Sequence, residues 1–500
     1  MSTCETLVRG ARVIDGTGAA PFVADVAITD GVIARVAPGV AMRGEREIDA
    51  AGLCLAPGFI DVHTHDDTNV VREPAMWPKL SQGVTTVVVG NCGISASPAR
   101  LHDGALPVPF ALLGDSDAFA YPTFAAYLDA IARARPAVNV AALVGHTTLR
   151  NNQMEALDRA ATPDEIDAMR AELREALACG ALGLSSGLQY ASAFSAPTEE
   201  VMSLAEPLAD AGALYATHMR TEFAGILEAM DEAFRIGRHA RVPVAVSHLK
   251  CAGRENWGRS GEVLDALEQA GRTHPVGCDA YPYTAGSSTL DLKQVTDAIE
   301  ITVTWSEPHP EIGGRSLQEI AREWGMSLMD AARRLQPAGA IYHSMSEDDV
   351  RRILRHPATV IGSDGLPNDP NPHPRLWGAF PRVLGRYARD ERLFPLAEAV
   401  HKMTGLPARK FGLSQRGLVR DGYAADLVLF DASTVRDVAT FTDPKRPAEG
   451  IAAVWVNGVL TSRGQVATGA RGGRFVSRGA IDPADYYSAF TSTTTEIQRA

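Results

Sequence analysis

The sequence predicts an α/β fold: a (β/α)8 barrel of the TIM type, joined to a small β-sandwich built from both termini, with an insertion between the barrel's seventh and eighth strands. Three observations carry this. Eight apolar, β-branched-rich runs of strand length recur through the middle of the chain and alternate with Ala/Glu/Arg/Leu-rich helical stretches. Fully apolar strands alternating with helices mean a parallel sheet buried on both faces. Short Val/Ile runs separated by Asp-Gly or other Gly-containing turns occupy both ends of the chain, and the gap after the seventh run is too long for one crossover helix.

In chain order, residues 7–10, 12–16, 23–28 and 32–36 read as antiparallel strands and hairpins. The same texture returns at 417–422, 425–431 and 454–459, so residues 1–57 and 415–480 are assigned to the sandwich. The barrel, 58–414, takes its strands from runs at 55–65, 85–92, 139–146, 180–186, 214–220, 242–249, 275–283 and 359–364. Eight such runs favour a closed barrel over an open sheet, and about 355 residues suits that fold. Crossover helices are predicted at 162–179, with a Thr-Pro-Asp-Glu start, and at 198–211, 222–240 and 260–270. Segments 317–324, 328–335 and 347–356 also look helical, and residues 284–345 are assigned to an insertion at the barrel mouth. The Gly/Ser/Thr-rich chain after about residue 468 is expected to pack loosely, with 481–500 as a C-terminal tail.

Composition narrows the functional classes. Five hundred residues exceed what one hydrophobic core organises, and 45% hydrophobic with 22% charged residues is the balance of an ordinary globular protein. Forty-eight basic residues against 60 acidic ones give a net charge of −12. Without a Lys/Arg block able to track phosphates, nucleic acid and anionic membranes are unexpected partners. No stretch approaches 18 uninterrupted apolar residues, and the start, Met-Ser-Thr-Cys-Glu-Thr, lacks a signal-peptide pattern. Six scattered cysteines without CxxC spacing read as free thiols, so a cytoplasmic protein is expected.

The chemistry is expected where the strands stop, because side chains at the C-terminal ends of parallel barrel strands face one mouth. The first run ends in His63-Thr64-His65, whose spacing of two puts both imidazoles on one side of an extended chain. The second ends in Cys92, the fifth in His218, the sixth in His248 and the eighth in Asp364. Taken singly, each has an ordinary reading: a hydrogen-bonded histidine, a core cysteine, an Asp-Gly turn. Six metal-competent side chains at the same end of five strands are not explained by six independent coincidences, and they predict a metal centre. His102, His239, His274, His309, His356, His373 and His401 sit in loops or on charged helices and are expected at the surface, whereas His146 and His343 follow apolar runs and are candidate neighbours of the site.

These residues resemble the amidohydrolase superfamily and, within it, the N-acyl-D-amino-acid deacylases (D-aminoacylases), over nearly the whole chain. The resemblance is carried by Pro-Gly-Phe-Ile-Asp-Val-His-Thr-His at 57–65, Gly-Asn-Cys-Gly at 90–93, Gly-Leu-Ser-Ser-Gly-Leu-Gln-Tyr at 183–190, Ser-His-Leu-Lys at 247–250, Asp-Ala-Tyr-Pro-Tyr at 279–283, Gly-Ser-Asp-Gly at 362–365 and His-Pro-Arg at 373–375. Many binuclear amidohydrolases carry a carboxylated lysine after strand four. Residues 183–187 contain no lysine, and Cys92 occupies the place of the deacylases' cysteine ligand.

The resemblance implies one tightly bound zinc on Cys92, His218 and His248, a donor set that suits a borderline-soft ion. His63 and His65 then correspond to a second, weaker position that Asp364 touches. Asp364 is the implied general base and acid, Arg375 with Tyr281 and Ser287 the implied binders of the substrate carboxylate, and Lys250 and Tyr190 the groups that stabilise the acyl oxygen. The implied substrate is a small N-acyl-D-amino acid. Its D configuration follows from the resemblance alone, and apolar and acidic side chains both remain open. The alternatives are a cyclic-amide hydrolase of the dihydropyrimidinase or hydantoinase type, against which the missing strand-four lysine counts, and a non-catalytic barrel scaffold, which would be expected to have lost ligands.

Overall fold

The computed structural model describes residues 2–102 and 106–486. Eight parallel strands form the barrel in chain order: Phe59–Asp61, Val84–Val89, Asn139–Ala142 continuing as Val144–Gly145, Gly183–Gly187, Leu214–His218, Val244–Val246, Val276–Ala280 and Thr359–Ile361. Each pairs with the next, and a parallel bridge from Thr64 to Gly365 joins the eighth to the first. Side chains separate with the period of two that a strand imposes. Ile60, Val62, Val88, Ala141, Leu143, Ala245 and Val360 share one apolar cluster, while Phe59, Val87, Val89, Val140, Tyr215 and Val246 join the larger cluster that includes the helices. Most strands are therefore apolar on both faces, as the continuous runs predicted; the fourth, with Ser185 and Ser186, and the seventh, with Gly277 and Asp279, are apolar on one face only.

The 162–179 prediction corresponds to helix Pro163–Ala178. Thr162 and Glu165 form a reciprocal capping box, Pro163 takes the first position, and Met169, Leu173, Ala176 and Leu177 bury one face. The run at 55–65 divides in two. Cys54–Pro57 pairs antiparallel with Leu427–Phe430 in the terminal sheet, and only Phe59–Asp61 enters the barrel. Gly58 makes the division possible, since a Cβ there would lie 2.1 Å from the Thr85 side chain.

The terminal sheet holds nine strands drawn from both ends of the chain, and its apolar residues, among them Val8, Val26, Leu55, Leu427 and Trp455, form a core of their own. The expected hairpins are only part of it. Thr3–Val13 is one long strand that pairs in parallel with Arg43–Asp49 and with Cys54–Pro57.

Between the seventh and eighth barrel strands, Gly286–Thr289, Ile301–Ser306, Arg315–Ser316 and Ala338–Tyr342 make an antiparallel sheet. Helices Leu317–Trp324 and Leu328–Leu335 share an apolar cluster with this sheet. Glu347–Arg355 is instead a crossover helix, packed on Ser260–Gly271 and on the eighth strand.

The expectation of a loose tail is corrected. Arg474 and Val476 exchange backbone hydrogen bonds with Val140 in the third barrel strand, Arg478 donates to the carbonyl of Ala211, and buried Tyr486 donates to the carbonyl of Lys410. Residues 487–500 lie outside the described chain. Among the described residues, no helix is long and apolar enough to cross a membrane.

Candidate active site

The six strand-end residues come together in two overlapping groups. His63, His65, Cys92 and Asp364 form one, and Cys92, His218 and His248 the other, with the donor atoms of each group within 4.8 Å of one another. All six are buried. Cys92 Sγ lies 3.1 Å from His63 Nε2 and 3.4 Å from His248 Nε2, and His248 Nε2 lies 3.0 Å from His218 Nδ1. Asp364 Oδ1 is 3.3 Å from His65 Nε2 and 3.6 Å from His63 Nε2. A tetrahedral zinc shell with bonds of about 2.0–2.3 Å spaces its donors about 3.3–3.8 Å apart. The thiolate, imidazole and carboxylate donors therefore fit zinc in chemistry, and their separations of 3.0–3.6 Å lie at or just inside that spacing.

Partners on the far ring nitrogens set the direction of each imidazole. Asp279 Oδ2 is 3.2 Å from His63 Nδ1, Glu222 Oε1 is 2.8 Å from His248 Nδ1, and Gln189 Oε1 is 3.0 Å from His218 Nε2. Asp279 also accepts the backbone N–H of His248 at 2.9 Å. Against the upward push of burial, the charges at His63 and His248 hold the Cys92 thiol well below its ordinary value. Burial likewise raises Asp364, but Arg375 together with His248, His65 and His63 outweighs it and keeps the carboxyl ionised, well below the usual range. Glu222 is also held low, where Lys250 and His248 overcome burial.

Three of the site residues, Cys92, His248 and Asp364, take left-handed backbone at φ 54°, 36° and 50°. Such conformations cost energy in non-glycine residues and concentrate at functional sites. Behind the His63 and Asp364 strands lies a fully buried Lys79. Its Nζ reaches Asp61 at 2.8 Å, Thr64 at 2.8 Å, Ser363 at 2.9 Å and Asp66 at 3.1 Å, tying the ends of the first and eighth strands to one charge.

The residues expected to hold a carboxylate lie beside this cluster. Arg375 opens helix Arg375–Arg382 and is 1% exposed. Its Nη2 bonds Asp364 Oδ2 at 2.9 Å and the Ser287 carbonyl at 3.1 Å, and its guanidinium stands 4.5 Å from the Tyr281 ring centre. Arg375 Nε and Nη1, Tyr281 Oη and Ser287 Oγ are buried with no hydrogen-bond partner. Buried donors are normally paired, so this group is poised for an anion. Ser287 lies in strand Gly286–Thr289, which replaces the flexible turn that Gly286-Ser287-Ser288 also allowed.

Lys250 is engaged with Glu222 at 2.5 Å and with His248 Nδ1 at 2.8 Å, and Tyr190 packs on the His218 ring at 4.9 Å. Burial, with Cys92 adding to it, pushes the Tyr190 phenol well up, so it stays a proton donor. A cavity of about 1220 Å³ opens over His65, Tyr190, His218, His248, Tyr281 and Asp364.

Sequence reasoning left Asp61, Lys79, Gln189, Glu222 and Asp279 without roles. Asp61, Gln189 and Asp279 lay inside motifs already singled out, and Glu222 stood four residues beyond His218. Lys79 gave no signal.

Three expected surface histidines are buried. His373 accepts from Arg375 N at 2.9 Å, and His274 and His356 pack in the interior. His146 joins Glu200 and Arg150 away from the cluster, and His343 sits on the insertion, its ring 4.8 Å from that of Phe441.

Fold and donor set together define a metal-dependent hydrolase barrel, and the chain belongs to the amidohydrolase family, whose profile matches residues 46–461. It is similar to the D-aminoacylase of Alcaligenes xylosoxydans xylosoxydans, 49% identical over 474 residues that span 95% of this chain and 98% of that one. The N-acyl-D-aspartate deacylase of the same organism is 48% identical (95% and 96%), and its N-acyl-D-glutamate deacylase is also 48% identical (91% and 93%). A crystal structure of D-aminoacylase superposes with a TM-score of 0.93 at 51% identity, covering 95% of this chain and all of that one. The N-acyl-D-glutamate deacylase of Bordetella bronchiseptica, complexed with zinc and a phosphonate mimic of the tetrahedral intermediate, superposes at 0.90 with 44% identity and coverage of 95% and 100%.

Proposed function

We propose that this protein hydrolyses the amide bond of N-acyl-D-amino acids, releasing a carboxylate and a free D-amino acid, with zinc held by Cys92, His218 and His248. The observation that carries the reading is that a thiolate–imidazole donor cluster meets four buried, unpartnered donor atoms: Tyr281 and Ser287 line the same cavity as His65, His218, His248 and Asp364, and Arg375 stands directly behind, bonded to Asp364 and stacked on Tyr281. The first would activate an amide, and the second would hold a carboxylate. Relatives of nearly full coverage that act on N-acyl-D-amino acids supply the D configuration.

His63 and His65, with Asp364, provide a second, weaker metal position. When bound, zinc lowers the pKa of a water and polarises the scissile carbonyl. Asp364 takes the proton from the attacking water and later delivers it to the departing nitrogen. Arg375 grips the substrate carboxylate through its free Nε and Nη1, with Tyr281 and Ser287 as further donors. Lys250, held by Glu222, and the protonated Tyr190 face the developing charge on the acyl oxygen. Six free cysteines, five of them buried, fit a cytoplasmic setting.

A screen of N-acetyl-D- and N-acetyl-L-amino acids, scored by free amine and run beside hydantoins, tests the reading. The expected result is turnover confined to D-substrates, with hydantoins inert. Equal cleavage of L-substrates, or cleavage of hydantoins alone, would contradict it.

A further inference from the structure

We propose that the acyl side of the pocket accepts an extended apolar acyl chain, so that the preferred substrates are medium-chain N-acyl-D-amino acids rather than N-acetyl compounds; this rests on the deacylase reading above. Pockets of about 300–1,000 Å³ already hold drug-sized ligands. A cavity of about 1220 Å³ exceeds what an N-acetyl-amino acid fills.

The position of the spare volume follows from the anchors. Tyr281 follows the seventh barrel strand, and Arg375 is bonded to Asp364 after the eighth. A substrate held there by its carboxylate places its amide over the donor cluster. A trans amide then carries the acyl group away from Cα, across the donor cluster toward the cavity's apolar wall.

That wall is the segment after the second strand, Leu-Pro-Val-Pro-Phe-Ala-Leu-Leu-Gly at 106–114, nine consecutive residues without a charge or a polar side chain. Val108, Pro109, Ala111 and Leu112, together with Leu366, line the cavity. Leu112 and Leu366 pack with Phe110, Leu113 and Ile94 in an apolar cluster of their own. The segment is fixed on two sides: Ser192 Oγ donates to the Val108 carbonyl at 2.5 Å, and Thr68 Oγ1, three residues past His65, donates to the Leu113 carbonyl at 2.5 Å. Yet Val108 is 53% exposed and Ala111 is exposed, both at the cavity. An apolar wall presented to a polar reaction centre is matched by a hydrocarbon chain, whose burial against it supplies binding energy remote from the reacting bond.

The test measures kcat/KM of the zinc-loaded, full-length enzyme for the N-acetyl, N-butanoyl, N-hexanoyl and N-octanoyl derivatives of whichever D-amino acid is cleaved best as its acetyl compound. Each buried methylene supports a gain of up to about fourfold, and the expected rise from acetyl to hexanoyl is tenfold or more. Val108→Asp and Ala111→Asp, both at exposed positions, should each lower the hexanoyl-to-acetyl ratio at least threefold. Acetyl turnover with a flat or falling series, or ratios unchanged in both variants, overturns this proposal alone. No turnover of any member, acetyl included, overturns both it and the deacylase reading.

Discussion

Asp364 carries demands that pull against one another. It is paired with Arg375, touches His63 and His65, and holds a left-handed backbone. Replacing it with Asn keeps the shape and removes the proposed base. Asp364→Asn is expected to retain the metal on Cys92, His218 and His248 while kcat falls on the order of a hundredfold or more, read by metal analysis beside steady-state kinetics; near-normal kcat would move the base elsewhere. The strand-end residues were legible because two rules reinforce each other, the period of two along a strand and the shared mouth of a parallel barrel. The side chains that aim them were not. Glu222 faces His248 across 26 residues of sequence and Asp279 faces His63 across 216, and no local pattern announces pairs formed only by barrel closure. His373 was placed at the surface for the same reason, since a loop histidine looks alike whether or not a barrel mouth closes over it.

At the scale of elements, the third strand and the helices after it are held by a buried ionic knot. Glu200 bonds His146 at 3.0 Å, pairs with Arg150 and accepts the N–H of Ala161. Burial raises the Glu200 carboxyl, but His146 and Arg150 outweigh it and bring it from 4.5 down to about 2. The unfolded chain therefore binds this proton more readily than the folded one. The contribution is complete above about pH 4.5 and is lost as the pH falls toward 2. Glu200→Gln should cost on the order of 3 kcal/mol at pH 7 and flatten the loss of stability between about pH 4.5 and 2, both measured as urea midpoints; an unchanged acid profile would exclude this group as a source of acid sensitivity. The insertion shows where pattern reading stops. Its helices Leu317–Trp324 and Leu328–Leu335 were visible from their periodicity, whereas Gly286–Thr289 carries no apolar signal and becomes a strand only by pairing with Ala338–Tyr342, some fifty residues on.

Across the whole molecule, barrel loops and insertion meet around one cavity, and the chain's last described stretch seals the opposite side of the barrel. The Gly/Ser/Thr content of the tail concealed this, because backbone hydrogen bonds to Val140 and two buried side chains, Val476 and Tyr486, leave little trace in composition. Ending the chain at Gly469 should lower stability by about 3–6 kcal/mol, from the apolar burial lost with those two residues, seen as a reduced urea midpoint; an unchanged midpoint would mean that the tail's contacts contribute nothing. The central claim is that five strands converge to build one zinc centre that performs the hydrolysis, with Cys92 belonging to both halves of the donor cluster. The most direct measurement is the zinc content of purified Cys92→Ala, determined beside its deacylase turnover. The account predicts loss of about one equivalent of tightly bound zinc together with turnover; full zinc content with full activity would contradict it.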